Sequence, residues 1–196
     1  MLIADCSENI KLIEMENNGN EGKGQNINND DGHIGPDPHI WLSLKNAVIM
    51  TENVYKAIIR IDPENINYYK KNKADYLSQI RKLDDENKDL FESTVGKIFI
   101  SYHDSWRYFA DDYGLTQLTI EENGKEPSLK RIKELVDLAE SENIKMIFAS
   151  PELNASGANI IAQEIGGSVI FVSPLEKNYL KNMKYMSSKL YEQLKK

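Results

Sequence analysis

The feature that most constrains the fold is an alternation of short apolar runs and helical stretches that begins after Gly96. Each apolar run has the length and composition of a buried strand, and each stretch between the runs has helical periodicity. Such alternation predicts an α/β fold, in which a parallel sheet is covered by helices. The predicted strands are Lys97 to Ser101, Thr116 to Ile120, Lys145 to Ala149 and Ser168 to Val172, and the predicted helices are Ser105 to Tyr113, Ser128 to Glu142, Ser156 to Ile165 and Lys177 to Leu194.

Two further helices are predicted ahead of this alternation. Pro36 and Pro38 prevent a helix before His39, because a residue that precedes proline is disfavoured in the α region. Apolar residues then recur mostly at three- and four-residue steps from Trp41 to Ile61. A second helix is predicted from about Glu64 to Glu92, and at 1.5 Å per residue it would span roughly 43 Å. A coiled coil is one arrangement open to a helix of this length.

Less regular structure is predicted for the N-terminal region. Leu2 to Asp5 and Ile10 to Met15 have the pattern of two short strands, which need neighbours because a two-stranded unit is marginal alone. From Asn17 to Gly32 the chain has six Asn and four Gly, a composition that cannot offset the entropy of ordering the backbone. We therefore predict a mobile polar loop that ends at His33.

Composition narrows the classes of partner. The net charge of -7 over 196 residues argues against a nucleic-acid backbone as partner and is compatible with cations. No apolar run approaches the roughly 18 residues of a membrane helix. The single cysteine, Cys6, cannot form an internal disulfide, and the segment from Met1 to Cys6 lacks the basic and apolar regions of a lipoprotein signal.

Two histidines lie where predicted elements end. His39 stands where the polar loop becomes a helix, and His103 directly follows the first predicted strand. Parallel α/β sheets bind ligands beyond the carboxyl ends of their strands, an edge that Ser150 and Ser173 also reach. Imidazole is the usual nitrogen ligand of Zn²⁺. The spacing alone leaves two interpretations open, a metal site or two hydrogen-bonded structural histidines.

An ordered set of motifs resembles the zinc/manganese-type solute-binding proteins of ABC transporters. The motifs are Asp37-Pro38-His39-Ile40-Trp41-Leu42; Ile61-Asp62-Pro63 with Tyr69, Asn72 and Tyr76; Tyr102-His103-Asp104 with Tyr108-Phe109-Ala110 and Tyr113-Gly114-Leu115; Glu126-Pro127-Ser128; Lys145-Met146-Ile147-Phe148; and Pro174-Leu175 ahead of Tyr179. They cover roughly residues 37 to 190. The resemblance implies a remnant of an incomplete N-terminal lobe at 1–38, helices that include a long inter-lobe spine at 39–94, and a parallel-sheet C-terminal α/β lobe at 95–196.

The resemblance also implies a metal site. His39 and His103 fall on the family's second and third ligand positions, and the position that matches its fourth ligand, a carboxylate, is Ser173. Because a serine hydroxyl is a poor zinc ligand, Ser173 departs from the family pattern. Glu152 and Glu176 are nearby carboxylates that could compensate. His33 is a further candidate, as a transient collector of metal.

Other expectations concern the surroundings of the site. Asp37 or Asp104 is expected to accept a hydrogen bond from the second ring nitrogen of an imidazole. Histidine at position 103, in place of a carboxylate, favours Zn²⁺ over Mn²⁺ by ligand softness, with Mn²⁺ as the second choice.

The resemblance implies a protein outside the cytoplasm, in the periplasm or at the cell surface, with an ABC transporter permease and a divalent metal ion as partners. We expect a monomer that binds no nucleic acid. It also implies that the family's export signal and most of its N-terminal lobe precede the residues present here. Two alternatives are a truncated remnant that binds metal weakly or not at all, and a metal-assisted hydrolase. No HExxH, GxSxG or P-loop motif supplies the groups that a hydrolase needs.

Overall fold

The computed structural model describes residues 3–14, 35–122, 124–153 and 156–195. A 3-10 turn, Ile40–Leu42, leads into helix α1 (Leu44–Ile61), and a second 3-10 turn, Pro63–Asn65, leads into helix α2 (Ile66–Phe91). The alternating part consists of β1 (Ile98–Ser101), α3 (Arg107–Asp112), β2 (Thr116–Thr119), α4 (Leu129–Ser141), β3 (Met146–Ala149), α5 (Ser156–Glu164), β4 (Ser168–Phe171) and α6 (Tyr179–Leu194).

The four strands form one parallel sheet in the order β2-β1-β3-β4. The predicted α/β fold is therefore confirmed. In β1, Ser101 lies opposite Thr119 of β2 and Phe148 of β3. Since all strands run in the same direction, their carboxyl ends meet at one edge of the sheet, which is where such sheets bind ligands.

The sheet separates two hydrophobic cores. Phe99 and Phe148 belong to a core that also contains side chains of α1, α2, α3 and α6. Ile100 and Ile147, which alternate with them along the strands, belong to a second core with α4 and α5. Both faces of the sheet are thus buried, as parallel sheets require.

Helix α2 is the long helix that the sequence predicts. Its 26 residues span about 39 Å. It packs along α1 and against α6, and its buried side chains begin at Leu77 and end at Phe91. Its first ten of 26 residues lack buried side chains, so this first part of the helix extends beyond the sheet core. Among the described residues no helix is both long and apolar enough to cross a membrane.

The two N-terminal strands are the clearest error of the sequence analysis. Within the described ranges, residues 3–13 contain no strand, and the only ladder contact is an isolated antiparallel bridge between Glu14 and Pro36. A turn occupies residues 6–9, and it closes at Asn9 with φ 66°, a left-handed conformation that asparagine tolerates. The side chain of Asn53 on α1 donates to the carbonyls of Cys6 and Glu8 and holds this turn against the helix. Residues 17–32, predicted to be a loop, and His33 lie outside the described residues.

Candidate metal centre

His39 is held by a residue only two positions before it. One carboxylate oxygen of Asp37, Oδ1, accepts both the backbone N–H and the ring Nδ1–H of His39, each at 2.8 Å. Asp37 is 1% exposed, and its second oxygen, Oδ2, has no hydrogen-bond partner among the described residues. The expectation that Asp37 orients an imidazole is confirmed at His39.

His103 is held at both its backbone and its ring. Its carbonyl accepts hydrogen bonds from the Ser101 hydroxyl, the Ser105 N–H and the Gln117 amide, at 3.0, 3.0 and 3.1 Å. Its ring Nδ1 lies 2.5 Å from Oε1 of Glu121. This hydrogen bond raises the pKa of His103 above its ordinary value, although burial lowers it.

Asp104 does not have the role expected for it. Its carboxylate pairs with the Arg107 guanidinium three residues later, while Glu121 is the residue that contacts the ring of His103. Asp104 still affects His103 through its negative charge, which raises the pKa of His103 together with the charge of Asp37. The region around the two imidazoles is therefore acidic, which favours a cation.

The two imidazoles meet through their free nitrogens. Nε2 of His39 and Nε2 of His103 lie 3.3 Å apart, and the rings are inclined at 81°. The side chains are 13% and 32% exposed. Two Zn–N bonds of about 2.0 to 2.1 Å at the tetrahedral angle would place their nitrogens about 3.3 to 3.4 Å apart. The observed separation fits two ligands of one zinc ion, and it equally fits an N–H···N hydrogen bond between the two rings.

The hydrogen bonds to the carboxylates determine which ring nitrogen carries the lone pair in each neutral histidine. Because both Nδ1 atoms donate to carboxylates, a neutral ring carries its lone pair on Nε2. Two such lone pairs facing each other at 3.3 Å repel unless a proton or a metal ion lies between them. The pair is thus arranged to share a cation.

Ser173 lies two residues beyond β4, and the residue after it, Pro174, is bonded to the Trp41 side chain. The Trp41 indole N–H donates to the carbonyl of Pro174 at 2.9 Å, and the rings of Trp41 and His39 are 5.5 Å apart. The Ser173 hydroxyl donates to Glu152. In the described structure the Ser173 hydroxyl therefore bonds Glu152 and the Leu175 N–H of its own turn, and neither imidazole is a partner.

Glu152 and Glu176, the two nearby carboxylates, are engaged elsewhere. Glu152 accepts hydroxyl donors from Ser150 and Ser173. Burial raises the pKa of Glu152, but these hydroxyls lower it and the net shift is downward. Glu176 accepts the backbone N–H of Asn178 at 2.9 Å. Across the described ranges, no group of three or more His, Cys, Asp or Glu side chains is placed to hold a metal ion.

Sequence reasoning missed Glu121, although a signal for it existed. Glu121 follows β2 just as His103 follows β1, and Ser101 pairs with Thr119 at the ends of these strands. Two residues further along each strand, the same register places Glu121 opposite His103. Strand order, which a single sequence does not reveal, was the missing information.

Comparison with known proteins places the chain in a family. Residues 2–193 match the family described as the periplasmic component A of the zinc-uptake complex. A putative metal-binding protein of Treponema pallidum (strain Nichols) is 32% identical over 162 residues, which are 79% of this chain and 51% of that protein. The high-affinity zinc uptake system protein ZnuA of Bacillus subtilis (strain 168) is 32% identical over 142 residues, which are 71% of this chain and 44% of that protein.

The structural comparison agrees. A crystal structure of ZnuA superposes with a TM-score of 0.84 at 30% identity, and the match covers 97% of this chain and 68% of that one. The chain spans about a third to a half of the length of the curated relatives it matches.

These matches confirm the resemblance drawn from the motifs. The family consists of periplasmic metal-binding proteins that are not enzymes, so the hydrolase alternative loses its basis. The match extends over nearly all of the sequence. The chain belongs to the ZnuA family of solute-binding proteins of zinc/manganese ABC transporters.

Proposed function

We propose that this chain binds Zn²⁺ between Nε2 of His39 and Nε2 of His103. The observation that carries this proposal is the 3.3 Å separation of the two nitrogens, with each Nδ1 bonded to a carboxylate. Metal-binding histidines commonly donate their second N–H to a carboxylate, which fixes the tautomer and raises the basicity of the ligating nitrogen. Asp37 and Glu121 are placed to do this for the two rings.

Zinc is the metal that these donors favour. Imidazole suits Zn²⁺, while Mn²⁺ prefers carboxylate and water oxygens. The two imidazoles would fill two of the four positions that zinc usually has. The remaining positions would go to water molecules.

The role of the whole protein follows from its family. We propose that the complete protein works outside the cytoplasm and delivers Zn²⁺ to the permease of an ABC importer, with Mn²⁺ as a second cargo. Support comes from the family match and from zinc uptake by the B. subtilis relative. The alternative is a remnant with weak binding, and it is favoured by the lack of a three-ligand group in the described part of the chain.

Calorimetric titration with Zn²⁺ and with Mn²⁺ tests the site. His39→Ala and His103→Ala should each weaken zinc binding by at least about tenfold, since even residues that only orient ligands contribute about 10 to 100-fold. His33→Ala is the matched control and should change affinity little. Equal losses in all three variants, or no loss in any, would overturn the proposed site.

A further inference from the structure

We propose that Tyr108 is a positioning residue for the metal centre. Its hydroxyl joins helix α3 to the segment that carries His39, and thereby sets the distance between His39 and His103. This inference rests on the proposed zinc binding by the two histidines. It concerns a side chain whose hydroxyl bonds neither imidazole in the described structure.

The hydroxyl of Tyr108 lies at a junction of two chain segments. It donates to the carbonyl of Asp37 at 2.9 Å and accepts the N–H of Ile13 at 3.1 Å. Asp37 and Ile13 are themselves bonded, since the Asp37 N–H donates to the Ile13 carbonyl at 2.8 Å. Tyr108 is 3% exposed, so water does not compete freely for these groups. One phenol therefore fixes both segments where they run side by side.

Asp37 transmits this constraint to the metal ligand. Its carbonyl is held by Tyr108, while its carboxylate holds the backbone N–H and the ring of His39. Two hydrogen bonds, from Tyr108 to Asp37 and from His39 to Asp37, thus connect α3 to the His39 imidazole. A shift of Asp37 would move Nε2 of His39 relative to His103, and metal sites need their ligands within about 0.5 Å of the productive geometry.

His103 is attached to the same rigid part of the molecule as helix α3. It follows β1 directly and precedes α3, and its carbonyl is fixed by three donors. Helix α3 makes a second tie to the other side of His39, because Asp112 at its end accepts the hydroxyl of Ser43 at 2.6 Å. Helix α3 therefore braces the His39 segment at both Asp37 and Ser43.

Tyr113 provides a matched control for Tyr108. It directly follows α3 and is 5% exposed, so both tyrosines are buried. Its hydroxyl donates to Asp84 at 3.0 Å and accepts from the Asn87 amide at 3.2 Å, two residues of α2. Tyr→Phe at either site removes one buried hydroxyl with two hydrogen bonds and keeps the ring, but only Tyr108 bonds the His39 segment.

The experiment compares Tyr108→Phe, Tyr113→Phe and the unaltered chain. Zinc affinity is measured by calorimetry, stability by urea unfolding, and ligand geometry by the visible absorption of bound Co²⁺. We expect Tyr108→Phe to weaken zinc binding by about tenfold, the lower end of the effect of residues that orient ligands, and to alter the Co²⁺ bands. Tyr113→Phe should lower stability to a similar extent and leave affinity and spectrum unchanged.

Each outcome has a distinct meaning. If both variants match the unaltered chain in affinity and in spectrum, or if both lose affinity equally, Tyr108 has no positioning role and the inference is overturned. If the unaltered chain fails to bind zinc, or if His39→Ala binds it equally well, the proposed zinc site itself fails and this inference falls with it.

Discussion

At the scale of single residues, the two imidazoles are oriented by carboxylates of different origin. Asp37 lies two positions before His39, so its role could be predicted from the sequence. Glu121 lies 18 positions after His103 and reaches it only because β2 pairs with β1. The orientation of His39 by Asp37 could thus be predicted from the sequence. The orientation of His103 by Glu121 could not, because it depends on the order of the strands in the sheet.

Glu121→Gln tests whether the carboxylate controls His103. The variant keeps an acceptor for Nδ1–H but removes the charge, so the pKa of His103 should fall toward its ordinary value of 6.5. Zinc affinity should fall by about tenfold. NMR titration of the imidazole protons and calorimetry measure the two effects. Glu122→Gln is the control, since Glu122 accepts the Ser128 N–H and is not bonded to His103.

Glu121→Gln should also change how the stability of the metal-free protein depends on pH. A histidine whose pKa is raised by folding contributes stability that is complete below its unfolded pKa and is lost as pH rises through the folded value. Glu121→Gln should therefore destabilise the metal-free chain more at about pH 5.5 than at about pH 8.5, as read from urea midpoints. A larger loss at the higher pH would contradict the assigned direction.

At the scale of helices and strands, sequence periodicity located the elements of the α/β part to within one or two residues at most ends. Ser128 was predicted to cap a helix, and its hydroxyl accepts the Arg131 N–H at 3.1 Å. The N-terminal strands were wrong because an apolar run becomes a strand only where a partner strand exists. In the described ranges the backbone of residues 3–14 pairs with a neighbouring segment only at Ile13 and Glu14, which meet Asp37 and Pro36.

The two helix caps differ in what else they bond. Ser128→Ala should cost about 1 kcal/mol, the usual value for a lost cap. Ser43 caps α1 by accepting the Asn46 N–H at 3.0 Å and also donates to Asp112. Burial raises the pKa of Asp112, because the ionised carboxylate has lost part of its solvation. Loss of the Ser43 hydroxyl would also remove one of the hydrogen bonds that stabilise this ionised form. We therefore expect Ser43→Ala to cost about 2 to 3 kcal/mol, measured by urea unfolding, and equal midpoints for the two variants would refute the added role.

At the scale of the whole molecule, the described structure consists of a well-packed part and a weakly attached one. The sheet buries both faces between helices, and its central strands β1 and β3 have hydrogen-bonded neighbours on both sides. Residues 3–14 are attached through the Asn53 side chain, the Glu14–Pro36 bridge and the junction at Tyr108. We expected this contrast from the sequence, because the two N-terminal apolar runs lack the neighbours that a stable sheet needs, whereas the α/β part supplies its own.

Hydrogen exchange should resolve the two parts. Amides of β1 and β3 should exchange only through global unfolding, since their donors are buried and paired, whereas most amides of residues 3–14 should exchange through local opening. We expect the N-terminal amides to exchange orders of magnitude faster at neutral pH, with Ile13 slower than its neighbours because it donates to Tyr108. Mass spectrometry of peptic fragments, with NMR for single amides, measures the order. The strongest contrary result would be protection of residues 3–14 equal to that of β1, because such protection would place this segment inside the cooperative unit of the sheet.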